Sequence, residues 1–226
     1  MENFKLFEAK RRLRQYGMAF VFVLILIFGW QFPFLGYFIP ACMLLGFGMG
    51  LMRKRKWCDW YCPRGSFYDA LARPLSPQKK IPALFKNIPF RLGALALLMI
   101  IMIVNLIMRW PHADQIGFFF IIMLTVTTTL GVILAIIFHQ RSWCMICPIG
   151  TIINLTGKSK SPLTIDSDKC VECKLCAKAC PVQIKPYLFK QKGVLTVNDR
   201  DCLQCASCVA ACPKKALYFS NAACDI

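Results

Sequence analysis

Long apolar runs fill the first part of the chain and are absent from the rest. Four such stretches occur, at residues 16–34, 35–52, 92–108 and 116–138. A helix needs about 20 apolar residues to cross the hydrocarbon core, so each stretch predicts a transmembrane helix. A very short turn joins the first to the second, and the third and fourth form a second pair, giving two hairpins. The basic start (Lys10, Arg11, Arg12, Arg14) resembles that of a signal peptide, but no A-x-A site follows and a second apolar stretch comes at once. Beyond about residue 160 the apolar runs stop. There Leu163 to Ile165, Val194 to Val197 and Ala216 to Phe219 read as short strands, with Lys192-Gly193 as a turn. The pattern predicts a mainly α membrane domain over residues 1–157, with four transmembrane helices as two repeated hairpins, and a small α+β domain over 158–226.

Composition agrees with this division. The 226 residues are 57% hydrophobic and 17% charged, whereas soluble domains carry about 25% charged residues. Formal net charge is +17, and its placement matters more than its size. Lys5, Lys10, Arg11, Arg12 and Arg14 precede the first helix, and Arg53 to Lys56, Arg64, Arg73, Lys79, Lys80, Lys86 and Arg91 fill the loop between the hairpins. The opposite side carries only Arg109. This asymmetry predicts a multi-pass protein of the cytoplasmic (inner) membrane with both termini and the long loop in the cytoplasm. Charge clustered at helix ends argues against nucleic acid.

Within the helices, Gly46, Gly48 and Gly50 allow close approach of a neighbouring backbone. Thr125 and Thr127 to Thr129 can bond to their own helix or across helices, and Asn105 suits an interhelical hydrogen bond.

Each hairpin ends in the same cysteine motif. Trp57-Cys58-Asp59-Trp60-Tyr61-Cys62-Pro63-Arg64-Gly65-Ser66 follows the second helix and Trp143-Cys144-Met145-Ile146-Cys147-Pro148-Ile149-Gly150-Thr151 follows the fourth. The membrane half is therefore duplicated in parallel, which puts both cysteine pairs at one depth on one face. Ser66 and Asp69 fit a capping box for a short helix after the first motif. Three readings of the four thiols stand side by side: a [4Fe–4S] cluster held by Cys58, Cys62, Cys144 and Cys147, a reactive dithiol or copper site, and buried structural cysteines.

The soluble half carries the most specific signal. Cys170, Cys173, Cys176 and Cys180-Pro181 repeat as Cys202, Cys205, Cys208 and Cys212-Pro213, each in the C-x₂-C-x₂-C-x₃-C-P spacing of bacterial two-cluster ferredoxins. By the crossed ligation of that spacing, Cys170, Cys173, Cys176 and Cys212 hold one [4Fe–4S] cluster and Cys202, Cys205, Cys208 and Cys180 the other. Zinc sites use two cysteine pairs rather than this step. Lys174, Lys178, Lys214 and Lys215 face either an acidic redox partner or anionic lipid. Cys224 lies outside any motif. No haem or flavin attachment motif occurs, and His112 and His139 lie near opposite faces.

Two hairpins each ending in W-C-x₂₋₃-C-P, followed by a two-cluster ferredoxin module, resemble the NapH/NosR-like polytopic membrane ferredoxin-type family. The resemblance implies electron transfer between the quinone pool and a redox partner, with the eight ferredoxin cysteines as ligands. The family has C-x₃-C-P twice, whereas the second copy here is C-x₂-C-P, and the flavin-bearing domain of larger members is absent from this sequence.

The leading expectation is a membrane-anchored iron–sulfur electron-transfer subunit of a larger complex. It would relay electrons between a cytoplasmic partner (a soluble ferredoxin or flavodoxin, or an oxidoreductase subunit) and a membrane partner or quinone. Two alternatives remain: quinol dehydrogenation, with His139 as the candidate proton acceptor, and thiol or copper reduction by the paired cysteines.

Overall fold

The computed structural model describes residues 2–157, 162–190, 193–197 and 199–220. Helices dominate its first two thirds: α1 (Glu2–Phe28), α2 (Phe38–Arg53), the short α3 (Lys56–Trp60) and α4 (Pro63–Phe67), α5 (Ile88–Arg109), α6 (Ala113–Ile137), and the short α7 (Ser142–Ile146) and α8 (Pro148–Thr156). A small region follows with β1 (Leu163–Asp166), α9 (Leu175–Lys178), β2 (Val194–Thr196), α10 (Ser207–Ala210) and β3 (Leu217–Phe219).

Three helical stretches are long and apolar enough to cross a membrane: Pro33–Arg53, Ile88–Arg109 and Ala113–Ile137. They carry exposed apolar side chains such as Leu44, Leu97 and Ile107, as a lipid-facing surface requires. The first predicted stretch behaves differently. Instead of running over 16–34, α1 starts near the N-terminus, takes in the basic prefix, and ends before Gly29. Good helix formers in that prefix carry the helix upstream. At the other end, the Pro33–Tyr37 turn is a 3₁₀ segment, packed so closely that the Gly36 and Gly117 backbones leave no room for a Cβ. Phe22 and Ile25 of α1 are buried with Ile121 and Leu124 of α6, so α1 packs as part of the bundle.

Several local expectations resolve differently in the fold. The Ser66–Asp69 capping box does not form. Cys62 is the N-cap of α4, its sulfur accepting from the Gly65 N–H at 3.4 Å, because Asp69 is drawn to arginines instead. Asn105 donates to Ile101 O of its own helix. Thr125, Thr127 and Thr129 likewise bond to carbonyls four residues back, the nearest acceptors in an apolar medium.

The soluble region is a three-stranded antiparallel sheet in the order β2-β1-β3, with Thr164 opposite Thr196 and Ile165 opposite Leu217. Leu163, Ile165, Val197 and Leu217 form its core with Cys176. Lys192 of the expected turn, Cys224 and the expected boundary at residue 158 lie outside the described residues.

Candidate functional site

The two paired-cysteine turns interlock. Each copy begins R-x-W-C, and each arginine crosses to the other copy. Arg141 Nη1 donates to Cys58 O at 2.9 Å, and Arg55 Nη2 donates to Cys144 O at 2.6 Å. Both guanidinium groups are fully buried. The glycine of each C-P-x-G turn makes the crossing possible. A Cβ on Gly65 would lie 2.6 Å from Cys58 O and 3.2 Å from Arg141 Nη1; on Gly150 it would lie 2.9 Å from Cys144 O and 3.2 Å from Arg55 Nη2. Reciprocal packing continues beyond the turns, with Tyr68 seated on Gly131 of α6 and Ile153 on Gly50 of α2.

The crossing gathers Cys58, Cys62, Cys144 and Cys147 into one neighbourhood. Burial pushes the Cys58 thiol up to about 11, Arg55 opposes, and the nearby Cys144 and Cys147 add to the rise. Burial also raises Cys144 while Arg141 lowers it, with Arg141 Nη1 3.8 Å from its sulfur. Two buried and two half-buried thiols among arginines suit an anionic centre better than four neutral side chains would.

An ion network surrounds this centre. Arg141 binds Asp59 at 2.9 Å and clamps Asp69 with two nitrogens. Arg11 binds Asp59 at 2.9 and 2.5 Å, and Gln15 donates to Asp69 at 2.9 Å. Burial alone would raise the Asp69 carboxyl, but Arg141 and Arg11 outweigh it and hold it below the usual carboxylate range. On the other side Arg55 and Arg91 share one carboxylate, Asp201, at 3.0 and 2.8 Å. Among these groups the first side balances, whereas the second keeps a surplus positive charge beside the thiols.

The ferredoxin cysteines ring two hollows. Cys170, Cys173, Cys176 and Cys212 line one; Cys180, Cys202, Cys205 and Cys208 line the other. Each set takes three cysteines from one motif and one from the other. Both loops wind the same way: Glu172, Lys174 and Gln183 in the first motif, and Gln204, Ala206 and Lys215 in the second, all have positive φ. Non-glycine residues adopt that conformation at a cost of order 1 kcal/mol or more each, and successive amides in such a winding form an anion-binding concavity. The backbone N–H groups of Ile184 and Ala216 donate to the sulfurs of Cys180 and Cys212 at 3.3 and 3.4 Å. Among the described residues no three His, Cys, Asp or Glu side chains converge as a single metal ion would require.

The residues therefore fit [4Fe–4S] groups: thiols spread around hollows, amides aimed at sulfur, and cations beside the paired cysteines. Buried donors without a partner among the described residues add to the fit. Ser66 and Thr151, equivalent in the two copies, keep orphaned hydroxyls, as do Arg55 Nε and Trp143 Nε1. Such groups are costly unless something accepts from them, and cluster sulfurs are acceptors.

The two halves meet at the second hollow. Cys205, Leu203, Val182 and Ile184 share one buried core with Cys58, Met145 and Ile146. Arg11 Nη1 donates to Ser207 Oγ at 3.2 Å, which lies 3.5 Å from Cys205 Sγ. The first hollow faces outward, with Cys173 exposed and the exposed Lys174 and Lys214 on its lining; Lys178 and Lys215 are exposed as well.

His139 is buried, and its Nδ1 accepts the Arg141 N–H at 3.2 Å. Burial lowers its pKa to about 4, Asp69 opposing and Arg141 and Arg73 adding to the drop. Sequence reasoning missed Arg11, Arg55, Asp59, Asp69, Arg91, Arg141 and Asp201. The signal was present in the repeated R-x-W-C and in acidic residues set beside cysteines of so basic a chain.

Comparison with known proteins matches these regions to iron–sulfur families. A family described as a 4Fe-4S binding domain matches twice, at residues 35–82 and 116–165, once for each paired-cysteine copy. One described as a 4Fe-4S dicluster domain matches residues 162–214. Two uncharacterized proteins of Methanocaldococcus jannaschii are each 26% identical, over 61% and 60% of this chain and 55% and 62% of their own lengths. YccM of Escherichia coli strain K12, provisionally described as an electron transport protein, is 27% identical over 60% of this chain and 44% of its own length. The chain thus spans about half the length of these curated relatives. No solved structure matches it. The cysteine geometry, the candidate membrane-spanning helices and these matches describe a multi-pass membrane protein with 4Fe-4S binding domains.

Proposed function

We propose that this protein is an iron–sulfur electron-transfer subunit in the cytoplasmic membrane, with four transmembrane helices, three [4Fe–4S] sites and both termini on the cytoplasmic side. The observation that carries the reading is the shared core in which Cys205 and Leu203 pack with Cys58 and Met145. It supports a series of three cysteine groups, from an exposed hollow through a buried one to the paired-cysteine turns. Bound there, [4Fe–4S] clusters supply one-electron carriers whose potentials follow hydrogen bonds to sulfur and solvent exposure.

The chain's own residues do the rest. Cys170, Cys173, Cys176 and Cys212 ligate at the exposed end, where the lysine rim receives an acidic soluble partner. Cys180, Cys202, Cys205 and Cys208 ligate in the middle, and Cys58, Cys62, Cys144 and Cys147 at the membrane edge. Arg55 and Arg141 compensate negative charge at that last site. The resemblance to NapH/NosR-like proteins and the description of the Escherichia coli relative support the assignment.

A cavity favours quinol oxidation as a second reading. It measures about 450 Å³ and is lined by Arg12, Gln15, Tyr16, Asp69, Arg73 and Gln78, which is within the range of small-molecule sites. Asp69 connects it through Arg141 to the paired cysteines.

The deciding experiment is iron and acid-labile sulfide per chain in protein purified without oxygen, repeated on Cys58→Ser/Cys144→Ser. About 12 iron atoms falling to about 8 supports the three-site relay. About 8 in both would refute the third site and move thiol or copper chemistry to the front.

A further inference from the structure

The two copies of the paired-cysteine motif are unequally charged, and the difference points into the ferredoxin domain. Counted from the tryptophan, Asp59 of the first copy stands where the second has Met145; counted from C-P, Asp69 stands where the second has Asn154. Arg141, crossing into the first copy, therefore meets two carboxylates. Arg55, crossing into the second, has Met145 Sδ at 4.0 Å and, among the described residues, no carboxylate of that copy.

The missing carboxylate comes from another part of the chain. Asp201 Oδ1 accepts from Arg55 at 3.0 Å, Arg91 at 2.8 Å and Asn154 at 2.6 Å, and the Asp201 N–H is fixed by Asp199 at 2.8 Å. Asp201 immediately precedes Cys202. One side chain therefore joins the second cysteine hollow to the arginine that holds the Cys144 carbonyl. We propose that Asp201 is the positioning residue of the junction, supplying the charge the second copy lacks and so registering the Cys202–Cys208 loop against the paired cysteines for electron transfer. The inference rests on the relay reading. The step is passage of one electron between the middle site and the membrane-edge site, one oxidised as the other is reduced, with no bond made or broken.

The test uses the full chain purified without oxygen, as Asp201→Asn and as the charge swap Asp201→Asn/Asn154→Asp. Four quantities are read: iron content, the rate of electron exchange between the two sites, the midpoint potential of the membrane-edge site, and hydrogen exchange of residues 199–208. Asp201→Asn should keep its iron and slow the exchange of electrons by about tenfold or more, as displaced redox groups do. It should also raise the potential, because a negative charge has left the surroundings, and deprotect 199–208. The swap returns one carboxylate to the junction beside Arg55 and Arg91 and should restore the rate to within about threefold. An unchanged rate, potential and hydrogen exchange in Asp201→Asn would overturn the proposal, as would a loss the swap fails to restore. About 8 iron atoms in the parent would refute the relay reading instead, and hydrogen exchange would then decide the positioning role by itself.

Discussion

Arg141 of the second repeat donates to the Cys58 carbonyl of the first at 2.9 Å while its remaining nitrogens hold Asp59 and Asp69. This one side chain stitches the two cysteine turns together and, with Arg11, neutralises two buried acids. Breaking a buried pair from one side leaves an uncompensated charge, which costs about 3–5 kcal/mol. Arg141→Met should show a loss of that size in thermal unfolding in detergent. Arg55→Met should cost less, because Asp201 keeps Arg91 and Asn154. Equal losses would contradict the network's asymmetry.

The turn glycines give a sharper test. Gly65→Ala and Gly150→Ala each force a methyl against a backbone carbonyl and the crossing arginine. Both should lose iron from the membrane-edge site and keep the ferredoxin sites. Gly48→Ala, with nothing within 4 Å of the added carbon, should match the parent. Iron counts on all three settle the matter.

His139 predicts a pH dependence. Its folded pKa of about 4 lies below the unfolded value of about 6.5, so the native state prefers the neutral ring. The stability linked to it is complete above about pH 6.5 and is lost as pH falls towards 4. His139→Asn keeps an acceptor for the Arg141 N–H and should flatten that part of a melting-temperature profile. A profile with the parent's slope would remove His139 as its cause.

Exposure orders the sites by vulnerability. Cys173 is exposed, whereas Cys58, Cys144 and Cys205 are buried. Chelators and oxidants should therefore remove iron first from the Cys170–Cys173–Cys176–Cys212 site. Spectroscopy of partly bleached protein checks this, and earlier loss from the Cys58–Cys144 site would contradict the packing.

Legibility followed the range of the interactions. The ferredoxin spacing is short-range, since a tight loop brings three thiols of one motif to one hollow, and the hydropathy runs located the last three long helices to within a few residues. The first helix was misjudged because hydropathy reports apolarity while helix propensity ignores it, and the prefix before Tyr16 is helical though basic. The capping box at Ser66 failed because Asp69 found buried arginines from distant segments, a competitor that no local pattern contains. Arg11, Arg55 and Arg91 illustrate the same limit. In the sequence they count toward topology, but in the fold they are partners of buried acids.

From the sequence alone, this protein could be read as a duplicated apolar hairpin domain joined to a two-cluster cysteine module. Those features depend on composition and on spacings of a few residues, and such signals survive without a fold. Tertiary structure decided that each arginine crosses to the opposite copy, that Asp201 meets Arg55 where the second copy has no acid, and that the buried hollow rather than the exposed one packs against the paired-cysteine turns. Each is a contact between charges or surfaces far apart in the chain, brought together because buried ions must find counter-ions and apolar faces must be covered.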